Sequence, residues 1–153
     1  MFSQFGNAQK NNSYDQLWKQ VENFEDENLT KSALKQTEAI FKKAKGEKNQ
    51  VQIIKALLHK SHFIITLEEN AKLNIVNEFK FEISSADTIT KSILHSHLAN
   101  LYWQYYRQNR YRFNNRTKTD VKIDSADFRT WDLDTLFKEI DYHFTSSLEN
   151  ASI

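Results

Sequence analysis

Apolar residues recur at three- and four-residue spacings along almost the whole chain, the period of amphipathic helices rather than of strands. Leu17, Val21 and Phe24, with Trp18 beside them, predict a short helix from about Tyr14 to Glu27. Asn28 ends it, because Asn tolerates the left-handed conformation at a helix terminus. A second helix starts near Thr30 and uses Ala33, Leu34, Ile40, Phe41 and Ala44. Gly46 is expected as its C-terminal cap, behind Lys42, Lys43 and Lys45, which suit the negative end of the helix dipole. The third helix, about Asn49 to Glu69, is the most apolar: Val51, Ile54, Leu58 and Ile65 share one face, widened by Ile53, Leu57 and Ile64. A stripe that broad predicts burial between two neighbours.

Asn70 is expected to cap a fourth helix carrying Leu73, Val76, Phe79 and Ile83, and Asp87 to open a fifth. The fifth runs through Ile93, Leu94, Leu98, Leu101, Tyr102 and Tyr105 to about Tyr111. A sixth, with Asp132 as N-cap, carries Leu133, Leu136, Phe137, Ile140 and Phe144. Between Phe113 and Trp131 no period is clear. Val121 and Ile123 alternate with charged residues there, compatible with a short strand, and Ser125 to Phe128 with one helical turn. Such a long connection is unusual inside a compact domain and marks the region expected to contact a partner.

The fold class is therefore all-α, with about six helices. Helices one, three and five start about 36 residues apart, near the pitch of tetratricopeptide-like solenoids. Antiparallel hairpins stacked in that way are the expected architecture, with Leu17, Phe24 and Ala33 as large, large and small positions of the first pair. A compact helical bundle is the alternative. Residues 14–153 read as a single helical domain with a long loop near 114–131, behind a disordered terminus over 1–13.

Composition supports the helical reading and removes several chemistries. The 153 residues include no Pro, no Cys and two Gly, and 21 Lys+Arg against 20 Asp+Glu leave a net charge of +1. Without Cys there is no disulfide framework, thiol nucleophile or Cys-ligated zinc. Glycines at 6 and 46 alone cannot build a phosphate-cradling loop, and no Gly-x-Ser-x-Gly elbow presents a nucleophile. Near-neutral charge lacks the basic footprint of a nucleic-acid binder. No stretch approaches the roughly 18 apolar residues needed to span a bilayer.

His59 and His62, three apart, could meet one ion, but no third ligand or His-Glu-x-x-His pattern accompanies them. His95 and His97 point to different faces. The acidic runs Glu25–Glu27 and Glu68–Glu69 read as solvated helix ends, and Lys42, Lys43, Lys45, Lys48, Lys55 and Lys60 make one corner positive. No catalytic, cofactor or metal constellation emerges, so the expected function is not enzymatic and takes no small-molecule substrate.

The densest chemical signal is Leu101 to Phe113, where aromatics interleave with arginines. Helical packing accounts for part of it, since Tyr102, Tyr105 and Trp103 continue the apolar face from Ile93. Trp103, Tyr106, Arg107, Arg110, Arg112 and Arg116 remain as candidate protein-interaction residues. Stacking on bases with phosphate pairing through the same arginines is the third-ranked reading, after a free-standing cytoplasmic tetratricopeptide-like adaptor that binds a peptide in a concave groove.

Several segments together resemble the amino-terminal helical region of the large alpha-2-macroglobulin-like proteins of Bacteroidetes-type bacteria. They are Tyr14-Asp-Gln-Leu-Trp-Lys-Gln-Val21 with Lys31-Ser-Ala-Leu34, Ile53-Ile-Lys-Ala-Leu-Leu-His-Lys60, and Ile93-Leu-His-Ser-His-Leu-Ala-Asn-Leu-Tyr-Trp-Gln-Tyr-Tyr-Arg-Gln-Asn-Arg-Tyr-Arg-Phe-Asn-Asn-Arg-Thr117, followed by Trp131-Asp-Leu133. The resemblance implies export, to the periplasm or cell surface, at the front of a long protease-trapping protein whose β-sandwich domains follow. It also accounts for residues 2–8 as the tail of a signal peptide, with small Gly6 and Ala8 two apart. No functional residue of that family carries over, because its thioester needs a Cys. The implied role is a docking module whose partners are downstream domains of the same protein, or another protein.

Overall fold

The computed structural model describes residues 4–67, 71–114 and 124–149, with side chains from Ser13 onward. Six α-helices are present: α1 (Gln4–Asp26), α2 (Thr30–Glu47), α3 (Gln50–Leu67), α4 (Ala71–Ser85), α5 (Thr88–Asn114) and α6 (Leu133–Leu148). One 3-10 turn, Phe128–Thr130, precedes α6, and no strand occurs among the described residues. The all-α reading holds. The chain divides into two compact units, Met1–Lys72 and Leu73–Ile153, where the sequence pattern suggested no boundary.

In the first unit α1 packs on α2 and α2 on α3, each pair joined by a very short link. Both links are built alike. Asn28 and Lys48 adopt left-handed backbone, φ 57° and 53°. After Asn28, Leu29 N–H donates to Phe24 O at 2.7 Å and Asn28 N–H to Glu25 O at 2.9 Å. After Lys48, Asn49 N–H donates to Ala44 O at 2.9 Å and Lys48 N–H to Lys45 O at 3.2 Å. This paired closure satisfies carbonyls left open at a helix end.

The expected stop at Gly46 is therefore displaced to Lys48. The reason lies in the next helix: Asn49 Oδ1 accepts from Gln52 N at 3.3 Å, so the N-cap of α3 fixes where α2 must turn. Gly46 stays inside α2, and a Cβ there would meet nothing within 4 Å. At the other end of the unit, α1 starts at Gln4 and not near Tyr14.

Tyr14, Trp18 and Val21 of α1 pack with Ala33, Ile40 and Ala44 of α2 and Ile53, Ala56 and Phe63 of α3. Leu17 and Phe24 cover this core from its edge. Ala33, Ala44 and Ala56 are fully buried, and such small side chains let helices approach closely. Thr37, also fully buried, satisfies its hydroxyl on Ala33 O at 2.8 Å. The buried face of α3 is Ile53, Ala56, Leu57, Ser61, Phe63 and Ile64, whereas Val51 is 71% exposed. The face expected to be primary was thus the margin. Apolar residues surround so much of α3 that spacing alone could not centre the stripe.

In the second unit α5, about 40 Å long at 1.5 Å per residue, packs along α6. Asp87 and Asp132 cap α5 and α6 as expected: Asp87 Oδ1 accepts from Thr90 N at 2.9 Å and Asp132 Oδ1 from Thr135 N at 2.7 Å. Ile93, Phe137 and Phe144, expected inside, are exposed. Their places are taken by residues one position away, notably Leu94 and His143, which are buried.

The expected cap Asn70 lies outside the described residues, as do Val121 and Ile123. The helical turn expected at 125–128 begins later, at Phe128. There Asp127 takes two guanidinium hydrogen bonds from Arg129, at 2.8 and 2.6 Å. Trp131 Nε1 donates to Asp124 O at 2.9 Å, and Phe128 packs its ring edge-on to Tyr105 at 4.9 Å.

Candidate functional site

The aromatic–arginine segment occupies the C-terminal half of α5, and the helix sorts it by depth. Leu101, Tyr102 and Tyr105 are buried, while Trp103 is 38% exposed. Trp103, Tyr106 and Phe137 form one ridge across the α5–α6 seam. Trp103 lies 5.5 Å from Tyr106 and 6.1 Å from Phe137, and Tyr106 lies 4.9 Å from Phe137. Tyr106 also meets Phe113 at 6.0 Å. These edge and tilted contacts hold the rings in place while leaving part of their surface open to solvent.

Arg107, Arg110 and Arg112 are exposed, and the Arg110 guanidinium lies over the Tyr111 ring at 5.3 Å. They follow the ridge toward the helix end, where cations favour the dipole. Arg116 lies outside the described residues. Of the six candidate interaction residues, then, Trp103 and Tyr106 are brought together, the three described arginines are exposed farther along the same helix, and Phe137 is an addition. Its signal was available: Phe137 lies four residues from Leu133 and three from Ile140, at the edge of the α6 apolar stripe.

Beneath the surface lies a polar cluster that spacing did not reveal. His95 and His143 are 8% and 4% exposed, and their Nδ1 atoms are 2.7 Å apart. His143 Nε2 faces Glu139 Oε1 at 3.4 Å, long for a hydrogen bond. Lys80 of α4 meets the same Glu139 oxygen at 3.1 Å and lies 5.8 Å from the centre of the Tyr102 ring and 5.3 Å from that of Trp131. The His143 imidazole and then the Lys80 ammonium hold the Glu139 carboxyl down to about 2, against the cost of burial.

Burial, then the neighbouring His143 ring, pushes His95 below the ordinary imidazole range. Burial and Glu139 push the Tyr102 phenol up, and its hydroxyl has no hydrogen-bond partner among the described residues. The signal for His143 was its place three residues after Ile140, in step with Leu136 on one helix face.

The other histidines serve packing. His59 lies 4.8 Å from the Trp18 ring, and burial pushes it below the ordinary range. His97 stacks on Phe79 at 5.2 Å, with the same effect of burial. His62 is T-shaped to Phe63. No group of three or more His, Cys, Asp or Glu that could hold a metal occurs among the described residues. No helix among them is long and apolar enough to cross a membrane. No protein-family model, curated protein or solved structure matches the chain.

Proposed function

We propose that this chain is a non-catalytic helical docking module at the front of an exported alpha-2-macroglobulin-like protease-trapping protein. Its ridge would receive a β-rich downstream domain of that same protein. The observation that carries the docking reading is the half-open Trp103–Tyr106–Phe137 ridge, on a helix that also exposes Arg107, Arg110 and Arg112. Aromatic and Arg side chains are enriched where interfaces bind most strongly. Export and the identity of the partner rest on the sequence resemblance. Tetratricopeptide-like pairing of the hairpins belongs to the same reading, supported by the short α1–α2 and α2–α3 links and by fully buried Ala33, Ala44 and Ala56.

The reading frame of the source gene on both sides of this segment tests the setting. An apolar signal core upstream of Phe2 and β-rich repeats after Ile153 are expected; a native start at Met1 with a stop near Ile153 would sink the proposal. Binding to the downstream domains then tests the surface. W103A and R110A should each weaken docking, by about tenfold or more for a central contact, with the helical melt retained. Unchanged docking in both variants would remove the ridge from the interface.

A further inference from the structure

Two ring nitrogens 2.7 Å apart must share a single proton, one donating and the other accepting. The surroundings decide which. Glu139 is an acceptor only while ionised, and a ring lone pair turned toward it would be repelled, so the His143 Nε2 that faces it at 3.4 Å, buried without a hydrogen-bond partner among the described residues, is the nitrogen that carries hydrogen. The neutral His143 ring then has its lone pair on Nδ1, and His95 Nδ1 is the donor. His95 Nε2 is left as the one basic nitrogen of the pair that is not engaged.

This assignment gives the pair two unequal steps on acidification. A first proton goes to His95 Nε2 and yields an imidazolium whose Nδ1–H still donates to neutral His143, now as a charge-assisted bond. A second proton has only His143 Nδ1 to bind, and that lone pair already accepts the bond. Taking it up would set two N–H groups head to head at 2.7 Å and place two cations side by side in a buried seam. The contact must open.

We propose that the His95–His143 bond is an acid-released clasp between α5 and α6, closed through the first protonation of the pair and opened by the second. Charged and titratable neighbours come from three helices. Glu139 of α6, paired with Lys80 of α4, faces His143 Nε2. On α5, Lys91 disfavours charge on His95, whereas Glu149 beyond α6 favours it. The Tyr102 and Tyr142 rings pack on the pair, Tyr102 at 5.9 Å from His143 and Tyr142 at 5.9 Å from His95. Because the two imidazoles share a proton, their titration belongs to the pair and not to either ring alone. The clasp is independent of the docking reading, although the same seam carries Trp103 and Phe137.

Ring-nitrogen NMR of the full chain across pH tests it directly. Near pH 7.5 we expect His143 as the Nε2–H tautomer and His95 as the Nδ1–H tautomer. Acidification should give two separated steps, with the hydrogen-bonded His95 Nδ1 proton lost in the second. Two Nε2–H tautomers titrating as independent histidines would overturn the proposal.

Discussion

The Trp18 indole on α1 donates from Nε1 to Gln52 Oε1 on α3 at 2.6 Å, passing beyond the helix that lies between them in sequence. The same ring lies under Lys55 Nζ, 4.3 Å from its centroid, and beside His59. Trp18 thus joins the first helix to the third as well as to the second. W18A should cost about 3–5 kcal/mol, the range for emptying a buried aromatic site. W18F, which keeps most of the ring and loses the donor, should cost less. Urea denaturation of the two variants measures both, and a W18A loss under about 1 kcal/mol would show that α1 is not held this way.

The displaced helix stop makes a paired prediction. Gly46 is a helical residue in the last turn of α2 with open space around its missing Cβ, so G46A should stabilise, by up to about 0.5–1 kcal/mol. Lys48 occupies the left-handed position, where Gly is the natural occupant, so K48G should be neutral to stabilising despite its cost in unfolded-chain entropy. Thermal melts of the single variants decide. Destabilisation by G46A would return the stop to residue 46.

Loss of the Asp132 cap should be felt in the second unit. Its carboxylate accepts from Thr135 N at the start of α6, and D132A should cost about 1 kcal/mol. D132N, which can still cap, should recover most of that. Chemical denaturation followed by Trp131 fluorescence, one residue away, would report the change.

Glu139 predicts an acid limb of stability. Its carboxyl is held at about 2 against an ordinary value of 4.5, so the folded chain resists a proton that the unfolded chain takes. The contribution is present above about 4.5 and is lost as pH falls toward 2. E139Q should flatten that limb in a denaturation series over the same window. K80M, which removes the ammonium paired with it, should flatten it partly. An unchanged slope in E139Q would mean the carboxylate is not strongly held.

Much of the fold was legible because helix termini carry local chemistry. Asn28, Asp87 and Asp132 act where their side chains or backbone tolerance placed them, and the α2 start at Thr30 and the α6 N-cap fall as expected. Depth was harder to read. On α3 and α6 the apolar residues extend beyond the buried arc, so spacing assigned Val51 and Phe144 to positions that Ile53 and His143 occupy. The ridge was half visible, as an aromatic–arginine run on one helix, but Phe137 comes from another helix and its contact with Trp103 is tertiary. The His95–His143 pair was hidden for the same reason: its members are 48 residues apart and make sense only in the seam.

The short links within the first unit, three residues and two, also bear on how fast the chain acquires its shape. Each of its helices packs on its sequence neighbour, so its main contacts close short loops and need little long-range search. With no Pro in the chain, refolding carries no prolyl isomerisation phase of tens of seconds, and with no Cys it waits on no thiol exchange. Recovery from denaturant is then set by helix formation and docking alone, without a covalent or isomerisation step to wait for.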